Sequence, residues 1–511
     1  MTAVALTATS ARARTSWAIP VLAAALVAAG VWWSLAPYLV GVFHDDGVYA
    51  LLARSIAEGH GFHYSHLPGA PAATHYPPLY PLALALVWHL APGFPQDIGA
   101  LLGLNALLAG AAAAGWYVFA VRRLGWSQRA ALAGAVVVAM TSPMLTLAGA
   151  ILSETLFIAC LWPVLLVAEP APGAARARVT LAGAAAGMLM LVRAHALALL
   201  IALVAVLLFR RRRSDAVVAM VAAVAVQVPW MTYAHFAGPP VATPLSGSYG
   251  SYASWLIAGW REGGIAFVTD TMAMNVRELA LLLRDRVTTG IAAVDTLAAI
   301  ITFAALLVGA RSFVRRAPVT LLFFAAYFAI VILWPYTPWR FAWGLWPLVA
   351  MLVLEGVRHA WTDARRLRVI TGIVAALPLL GLLRTELHSY ASRGWRTPAR
   401  QATARALPML DWARANTPRD AIILSEIEPV IALYTGRRSA PPVEFSAVEY
   451  TSRSESRVAL SLAEMLRALP ATYLVTATPD VQRAALAMHG TSAKLEQVAA
   501  PAGITAFVVK R

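Results

Sequence analysis

The sequence predicts a mainly α-helical membrane protein: about eleven transmembrane helices of some 20 residues, with interfacial helices in the first outer loop, then a small C-terminal α/β soluble domain. Three observations carry that expectation. Of 511 residues, 60% are hydrophobic and 13% charged, against about 45–50% apolar and about 25% charged in a soluble globular chain, so this one needs an apolar solvent. Apolar runs of spanning length alternate with short arginine clusters up to about residue 384. Beyond that point hydropathy falls, and short apolar strands alternate with amphipathic stretches. The expected division is a membrane domain over residues 1–384 and an extracytoplasmic domain over residues 385–511.

The apolar runs lie near residues 17–41, 98–120, 130–148, 151–169, 179–192, 195–209, 215–234, 288–309, 318–334, 341–357 and 369–383. With these spans every basic cluster falls on one side: Arg12 and Arg14; Arg122, Arg123 and Arg129; Arg176 and Arg178; Arg210 to Arg213; Arg311, Arg315 and Arg316; Arg365, Arg366 and Arg368. The bias of basic residues to cytoplasmic loops puts the N-terminus in the cytoplasm and the C-terminal domain outside. The first run ends in bulky Trp32, Trp33 and Tyr38 and is expected to be an uncleaved anchor.

Two further outer segments follow, a first loop over residues 42–97 and a second over residues 235–287. In the first, Pro77 and Pro78 forbid an ordinary helix before them and start a short interfacial one over Leu82–Leu90. The second carries Gly247-Ser-Tyr-Gly-Ser-Tyr252 and reads as a mobile lid over substrates or as a plain tether. In the C-terminal domain the expected strands are Ala421–Ser425, Thr472–Thr476 and Ile504–Val509, with helices over Ala399–Asn416, Pro429–Thr435 and Arg457–Leu469.

The net charge is +16, and lysine occurs only at Lys494 and Lys510. That bias suits a GC-rich bacterial gene, and arginines set between apolar runs serve topology, so no nucleic-acid partner is expected. A single cysteine, Cys160, excludes an internal disulfide and any cysteine metal cluster.

The chemistry concentrates at the start of the first loop. Asp45 and Asp46 stand where a span ends and a short helix begins, and Asp45, Tyr49, Leu52 and Ile56 share one face of that helix. On this reading Asp45 points inward with the apolar face, and Asp46 is rotated about 100° away. A plain helix cap is the simpler role for either aspartate. A carboxylate at the rim of hydrocarbon is nevertheless costly unless paired or used. His44, His60, His63, His66 and His75 crowd the same loop in no defined zinc spacing.

Asp45-Asp-x-x-Tyr49 followed by Tyr76-Pro-Pro-Leu-Tyr-Pro81 resembles the GT-C superfamily of integral membrane glycosyltransferases, specifically bacterial relatives of protein mannosyltransferases and of the aminoarabinose transferase. Ser153-Glu-Thr-Leu-Phe157, Leu191-Val-Arg193 and Trp339-Arg-Phe-x-Trp-x-Leu-Trp-Pro347 fall where such proteins carry comparable segments. The resemblance implies inverting transfer of a hexose or pentose from a polyprenyl-phosphate donor on the outer face of the bacterial cytoplasmic membrane. The acceptor would be a glycan, a glycolipid or a protein.

By the same resemblance the first acid of the pair, Asp45, is the base, with Asp46 beside it. The leaving phosphate needs positive charge near the outer rim, and Arg340 and Arg193 stand at expected outer boundaries, with snorkelling to headgroups as their simpler role. Glu154, His75, Tyr76, Tyr49 and Tyr80 complete the expected substrate contacts, and a divalent cation on Asp46 and His75 stays open. The chain departs from relatives of the aminoarabinose transferase just before the two prolines, where it has His75 and Tyr76 in place of an acid and a base. Trp334-Pro-Tyr-Thr-Pro-Trp339 suits an aromatic interface belt or the entry of a prenyl tail. The C-terminal domain, without a catalytic constellation, is expected to bind the acceptor or to be structural. The rival functions are a transporter or flippase of lipid-linked intermediates and a non-catalytic envelope assembly protein.

Overall fold

A computed structural model describes residues 17–169, 173, 175–237, 240–363, 368–451, 453–491 and 495–510. Arg12, Arg14, Arg365, Arg366 and Lys494 lie outside the described residues.

In chain order the membrane part comprises α1 (Ala18–Ser34), α2 (Asp45–Ala57), α3 (Leu79–Leu90), α4 (Ile98–Phe119), α5 (Gln128–Ala139), α6 (Ser142–Ala148), α7 (Glu154–Ala168), α8 (Arg176–Met190), α9 (Leu197–Phe209) and α10 (Arg213–Phe236). It continues through α11 (Ser246–Tyr249), α12 (Tyr252–Arg286), α13 (Ala292–Arg316), α14 (Pro318–Leu333), α15 (Trp339–Gly344), α16 (Trp346–Asp363) and α17 (Arg368–Ser392). Every apolar range read from the sequence carries helix. Among the described residues, length and apolar composition alone qualify three stretches to cross a membrane: Ile98–Leu124, Arg213–Phe236 and Ala292–Arg316. The pair α5 and α6, bent by 61°, makes a fourth if taken as one span, and α1, α3, α7, α9 and α14 are apolar but shorter. Leu22 and Leu26 on α1, Val221 and Val224 on α10, and Ile300 and Leu307 on α13 are exposed, which is the surface hydrocarbon would cover.

In lipid no hydrophobic force drives one helix against another, so association depends on close van der Waals approach. Small residues supply it here. A side chain on Gly183 or Gly187 of α8 would strike the Ala219 or Ala223 carbonyl of α10. One on Gly309 of α13 or Gly356 of α16 would strike the Leu352 or Ala305 carbonyl across that crossing. Two helix starts are closed by carboxylates: Glu386 of α17 accepts the Ser142 N–H at 2.8 Å, and Glu169 accepts the Thr320 N–H at 2.6 Å. Each supplies an acceptor to an orphan donor at the positive end of a helix.

The second outer segment differs from the loop expected of it. Most of it is α12, kinked at Gly264 (φ 57°, ψ −141°). Its tip packs so closely that a Cβ on Gly247 would strike the Phe445 carbonyl. The mixed polar and apolar pattern of Arg261, Glu262, Glu278 and their neighbours hid the helix, because it lacks a continuous apolar run.

Helix α17 runs unbroken through residue 384, and a 3-10 turn over Gly394–Arg396 leads into α18 (Thr397–Asn416). The C-terminal domain then adds β1 (Ile422–Leu424), α19 (Glu428–Thr435), β2 (Arg438–Ala440), α20 (Glu455–Ala468), β3 (Tyr473–Thr476), α21 (Pro479–Thr491), β4 (Leu495–Val498) and β5 (Thr505–Val509). The sheet order is β2-β1-β3-β5-β4. Strand β1 is parallel to β2 and β3, and β5 is antiparallel to β3 and β4. The three expected strands and three expected helices are present. Strands β2 and β4 and helix α21 were not foreseen: β2 is three residues of Arg-Ser-Ala and β4 alternates weakly as Leu-Glu-Gln-Val, too short or too polar to signal.

This domain sits on the rim of the bundle. Arg396 donates to the carbonyls of Ser34 and Leu35 at 2.9 Å each, closing the end of α1. Thr403 Oγ1 accepts the Leu39 N–H at 3.1 Å and Tyr434 Oη the Val40 N–H at 3.0 Å.

Replacing Gly309 or Gly356 by leucine should open the α13–α16 crossing at a cost of about 1–3 kcal/mol or more, read as a lower thermal midpoint in detergent; an unchanged midpoint would contradict the close packing.

Candidate functional site

Where α2, α7, the α8–α9 break and α15 meet, four charged side chains share one junction. The α8–α9 break occurs because Arg193 and His195 interrupt an apolar stretch; Arg193 has extended backbone (φ −150°, ψ 129°) before a short 3-10 turn over Ala194–Ala196. Arg340 enters from the first turn of α15, and Glu154 is the first residue of α7.

Arg340 forks between two carboxylates. Its Nη1 lies 2.8 Å from Asp45 Oδ2, and its Nε and Nη2 lie 3.1 Å from Glu154 Oε1. Glu154 Oε2 meets Arg193 Nη1 at 3.0 Å, and the same Nη1 donates to Ser153 Oγ at 3.0 Å. Tyr49, on the Asp45 face of α2, donates to Ser153 Oγ at 3.0 Å, and Tyr76 donates to Asp45 Oδ1 at 2.9 Å. Glu154 is 1% exposed, a burial a carboxylate sustains here through its two guanidinium partners. Burial pushes the Asp45 carboxyl up, but Arg340 and then His44 outweigh it and hold the group below the usual carboxylate range.

The two adjacent aspartates part company. Asp46, and not Asp45, is fully buried: its Oδ2 accepts the Gly41 N–H at 2.8 Å and its Oδ1 the Phe43 N–H at 3.0 Å, fixing the turn before α2. Burial raises its carboxyl to about 6 against those hydrogen bonds. The expectation that Asp45 is the one pointing inward is reversed in burial, because the turn before α2 folds back over Asp46. Asp45 faces a cavity of about 400 Å³ that Asp46 does not line.

That cavity has two walls. The membrane part contributes Asp45, Tyr49, His75, Tyr76, Arg193 and Arg340 among others, and the C-terminal domain contributes Glu426, Glu428, Glu444, Phe445 and Arg453. Aromatic rings close its side: Trp255 stacks on Phe445 at 5.2 Å and tilts against Trp334 at 5.6 Å. His75 donates from Nδ1 to the Gly250 carbonyl at 2.6 Å, its ring lies 3.9 Å from that of Tyr252, and burial holds it neutral, down to about 4. Tyr80 is not in the cavity; it donates to Asn105 at 3.0 Å and supports Tyr49 edge-on at 5.0 Å. Among the described residues no group of three or more His, Cys, Asp or Glu is placed to hold a metal ion. Asp46 and His75, the pair left open for a cation, are each hydrogen-bonded to backbone groups.

His60 is exposed beside Glu58, and His63 turns back to the His60 carbonyl at 3.1 Å. His44 and His66 instead meet the C-terminal domain through Glu428. His44 Nδ1 lies 3.1 Å from Glu428 Oε1, Tyr249 donates to the same oxygen at 3.1 Å, and His66 Nε2 reaches Tyr249 at 3.1 Å. Burial would lower His44, but Glu428 overrides it and raises the imidazole to about 9. In the sequence Glu428 is one acid near a strand end; its partners His44 and Tyr249 lie in distant segments, which no local pattern reveals.

No family model matches the chain, and no curated protein sequence matches it. Solved structures do. The chain is similar to ArnT from Cupriavidus metallidurans bound to undecaprenyl phosphate, at 15% identity, over 97% of this chain and 98% of that one, with a TM-score of 0.53. It also aligns with the oligosaccharyltransferase of Archaeoglobus fulgidus, at 14% identity, over 93% of this chain and 71% of that one, with a TM-score of 0.49. The first likeness, over nearly the whole of both chains, shows that this chain has the GT-C fold its motifs resemble.

Replacing Glu154 by glutamine leaves Arg193 and Arg340 short of a buried counter-charge. It should lower stability by about 3–5 kcal/mol, measured by thermal unfolding in detergent, whereas a midpoint equal to wild type would mean that the junction is solvated and not buried.

Proposed function

We propose that this protein transfers a sugar, with inversion, from a polyprenyl-phosphate donor to an envelope acceptor at the outer face of the bacterial cytoplasmic membrane. The observation that carries it is the Arg340 fork, a guanidinium bridging Asp45 and Glu154 at the floor of the cavity. The ArnT neighbour binds undecaprenyl phosphate, and a phosphate of that kind is the ligand a guanidinium fork matches in bidentate fashion.

The fork also couples donor to base. Arg340 holds Asp45 below the usual carboxylate range and so makes it a poor proton acceptor. A donor phosphate drawing Arg340 toward itself weakens that pairing and restores the basicity of Asp45. Asp45 then takes the proton of an acceptor hydroxyl, the oxygen bonds to the anomeric carbon from the opposite side, and the bond from that carbon to the phosphate oxygen breaks. Its electron pair leaves with polyprenyl phosphate, steadied by Arg340 and Arg193. Tyr76 and Tyr49 orient the carboxylate and the Ser153–Arg193 pair; His75 and Tyr252, two rings tilted against each other, offer the sugar an aromatic wall. No step uses a metal ion.

The sidedness follows the arginine clusters: the N-terminus is cytoplasmic, the cavity and C-terminal domain are outside, and the eleven helical ranges are the spans. The acceptor enters between the bundle rim and the C-terminal domain and is a glycan, a glycolipid or a protein; the sugar is a hexose or a pentose.

Deleting the gene should cause a lipid-linked saccharide to accumulate, visible by mass spectrometry of membrane lipids. Asp45→Asn should insert and fold yet fail to clear that lipid, with turnover down about 100- to 10,000-fold; a transporter or a scaffold would be indifferent to the change, and full clearance by this variant ends the assignment. Arg340→Lys, which cannot span both carboxylates, should weaken binding of undecaprenyl phosphate about tenfold or more, measured by titration of the purified protein; unaltered affinity removes Arg340 from the phosphate site.

A further inference from the structure

The residue immediately before Asp45 has an uncommon backbone. His44 sits at φ 62°, ψ −69°, a region that disfavours any residue with a Cβ. It occupies the N-cap position of α2, where its carbonyl accepts the Val48 N–H at 2.9 Å, yet its side chain caps nothing in the helix. The imidazole is instead drawn away to Glu428 at 3.1 Å. Because the chain direction at His44 sets the direction in which α2 begins, it also sets where the first carboxylate of that helix points.

Glu428 is well placed to hold it. It is 1% exposed, opens α19, and has its own carbonyl tied by Ser439 Oγ at 2.6 Å. Its Oε1 is shared by His44 and Tyr249. The start of α19 lies directly on the start of α2: a Cβ on Gly47 would come within 2.5 Å of Pro429 Cβ, and one on Gly41 within 2.9 Å of the Val430 nitrogen. Neither position tolerates a side chain without moving the two helices apart.

We propose that Glu428, a residue of the C-terminal domain, is a positioning residue for Asp45: it holds His44 in its positive-φ conformation and thereby keeps the first carboxylate of α2 on the Arg340 fork. The proposal rests on the reading of Asp45 as the base. The C-terminal domain is on this view a constructed part of the reaction site, and an enzyme cut after α17 would keep every charged residue of the floor but lose their alignment.

The test uses the purified full-length protein in detergent, with the lipid-linked saccharide isolated from the deletion strain as donor, a detergent extract of that strain's envelope as the source of acceptor, and undecaprenyl phosphate as binding probe. Glu428→Ala should lower kcat at least tenfold while KM and undecaprenyl phosphate affinity stay within twofold. Glu428→Gln, which keeps an acceptor oxygen in place, should recover most of the loss. His44→Gly and His44→Ala both remove the imidazole, but only glycine adopts a positive φ freely, so the glycine variant should turn over at least threefold faster than the alanine variant. Glycine should also raise the rate of Glu428→Ala when the two are combined. If Glu428→Ala does not fold, the His44 pair decides alone. With wild type active, alanine matching glycine at position 44, or Glu428→Ala within twofold of wild type, overturns the proposal. Wild-type protein that releases no undecaprenyl phosphate from that lipid overturns the transferase reading and this proposal with it.

Discussion

Everything at the site follows from one guanidinium placed between two carboxylates. Arg340 bonds to Asp45 and to Glu154 at once, and without it two negative groups would face each other in a poorly solvated pocket. A planar fork with donors on several edges can hold both acids in fixed geometry, which a lysine ammonium cannot. Arg193 completes the neutralisation from the other side of Glu154. The result is a set of two cations and two anions in which every charge has an opposite partner. A site of this kind sits at a helical rim because the residues that form it come from four separate helix ends, where the backbone can turn and the side chains can escape hydrocarbon.

The rest of the membrane part serves to hold those ends in register. Glycines at the α8–α10 and α13–α16 crossings bring backbones close, since packing and not water exclusion is what lipid leaves available. Buried carboxylates at Glu169 and Glu386 close helix starts that would otherwise leave N–H groups unpaired. The breaks matter as much as the long helices: the interruption at Arg193 and the short α15 are where the bundle turns its charged groups toward the cavity.

The C-terminal domain is more than an appendage. It supplies one wall of the cavity, bonds the turn at Leu39 and Val40, and places α19 against α2 with no room for a side chain at Gly41 or Gly47.

The sequence by itself determined the class of the protein, because composition and the spacing of apolar runs respond to the solvent and need no partner. It also located Asp45, Glu154, Arg193 and Arg340, since charges at the ends of apolar runs are costly unless used, and the motifs around them resemble a known superfamily. Alternation was enough to find the longer strands of the sheet, but β2 and β4 are too short to alternate, and the polar face of α12 disguised a long helix as a loop. Only the tertiary structure decided that Asp46 is a buried turn brace while Asp45 faces the cavity, that Tyr80 supports the site from behind, and that His44 answers to Glu428. The last joins residues hundreds of positions apart, and the first turns on how the chain just before α2 folds back over one side chain; periodicity reports which face of a helix a residue shares and is blind to both.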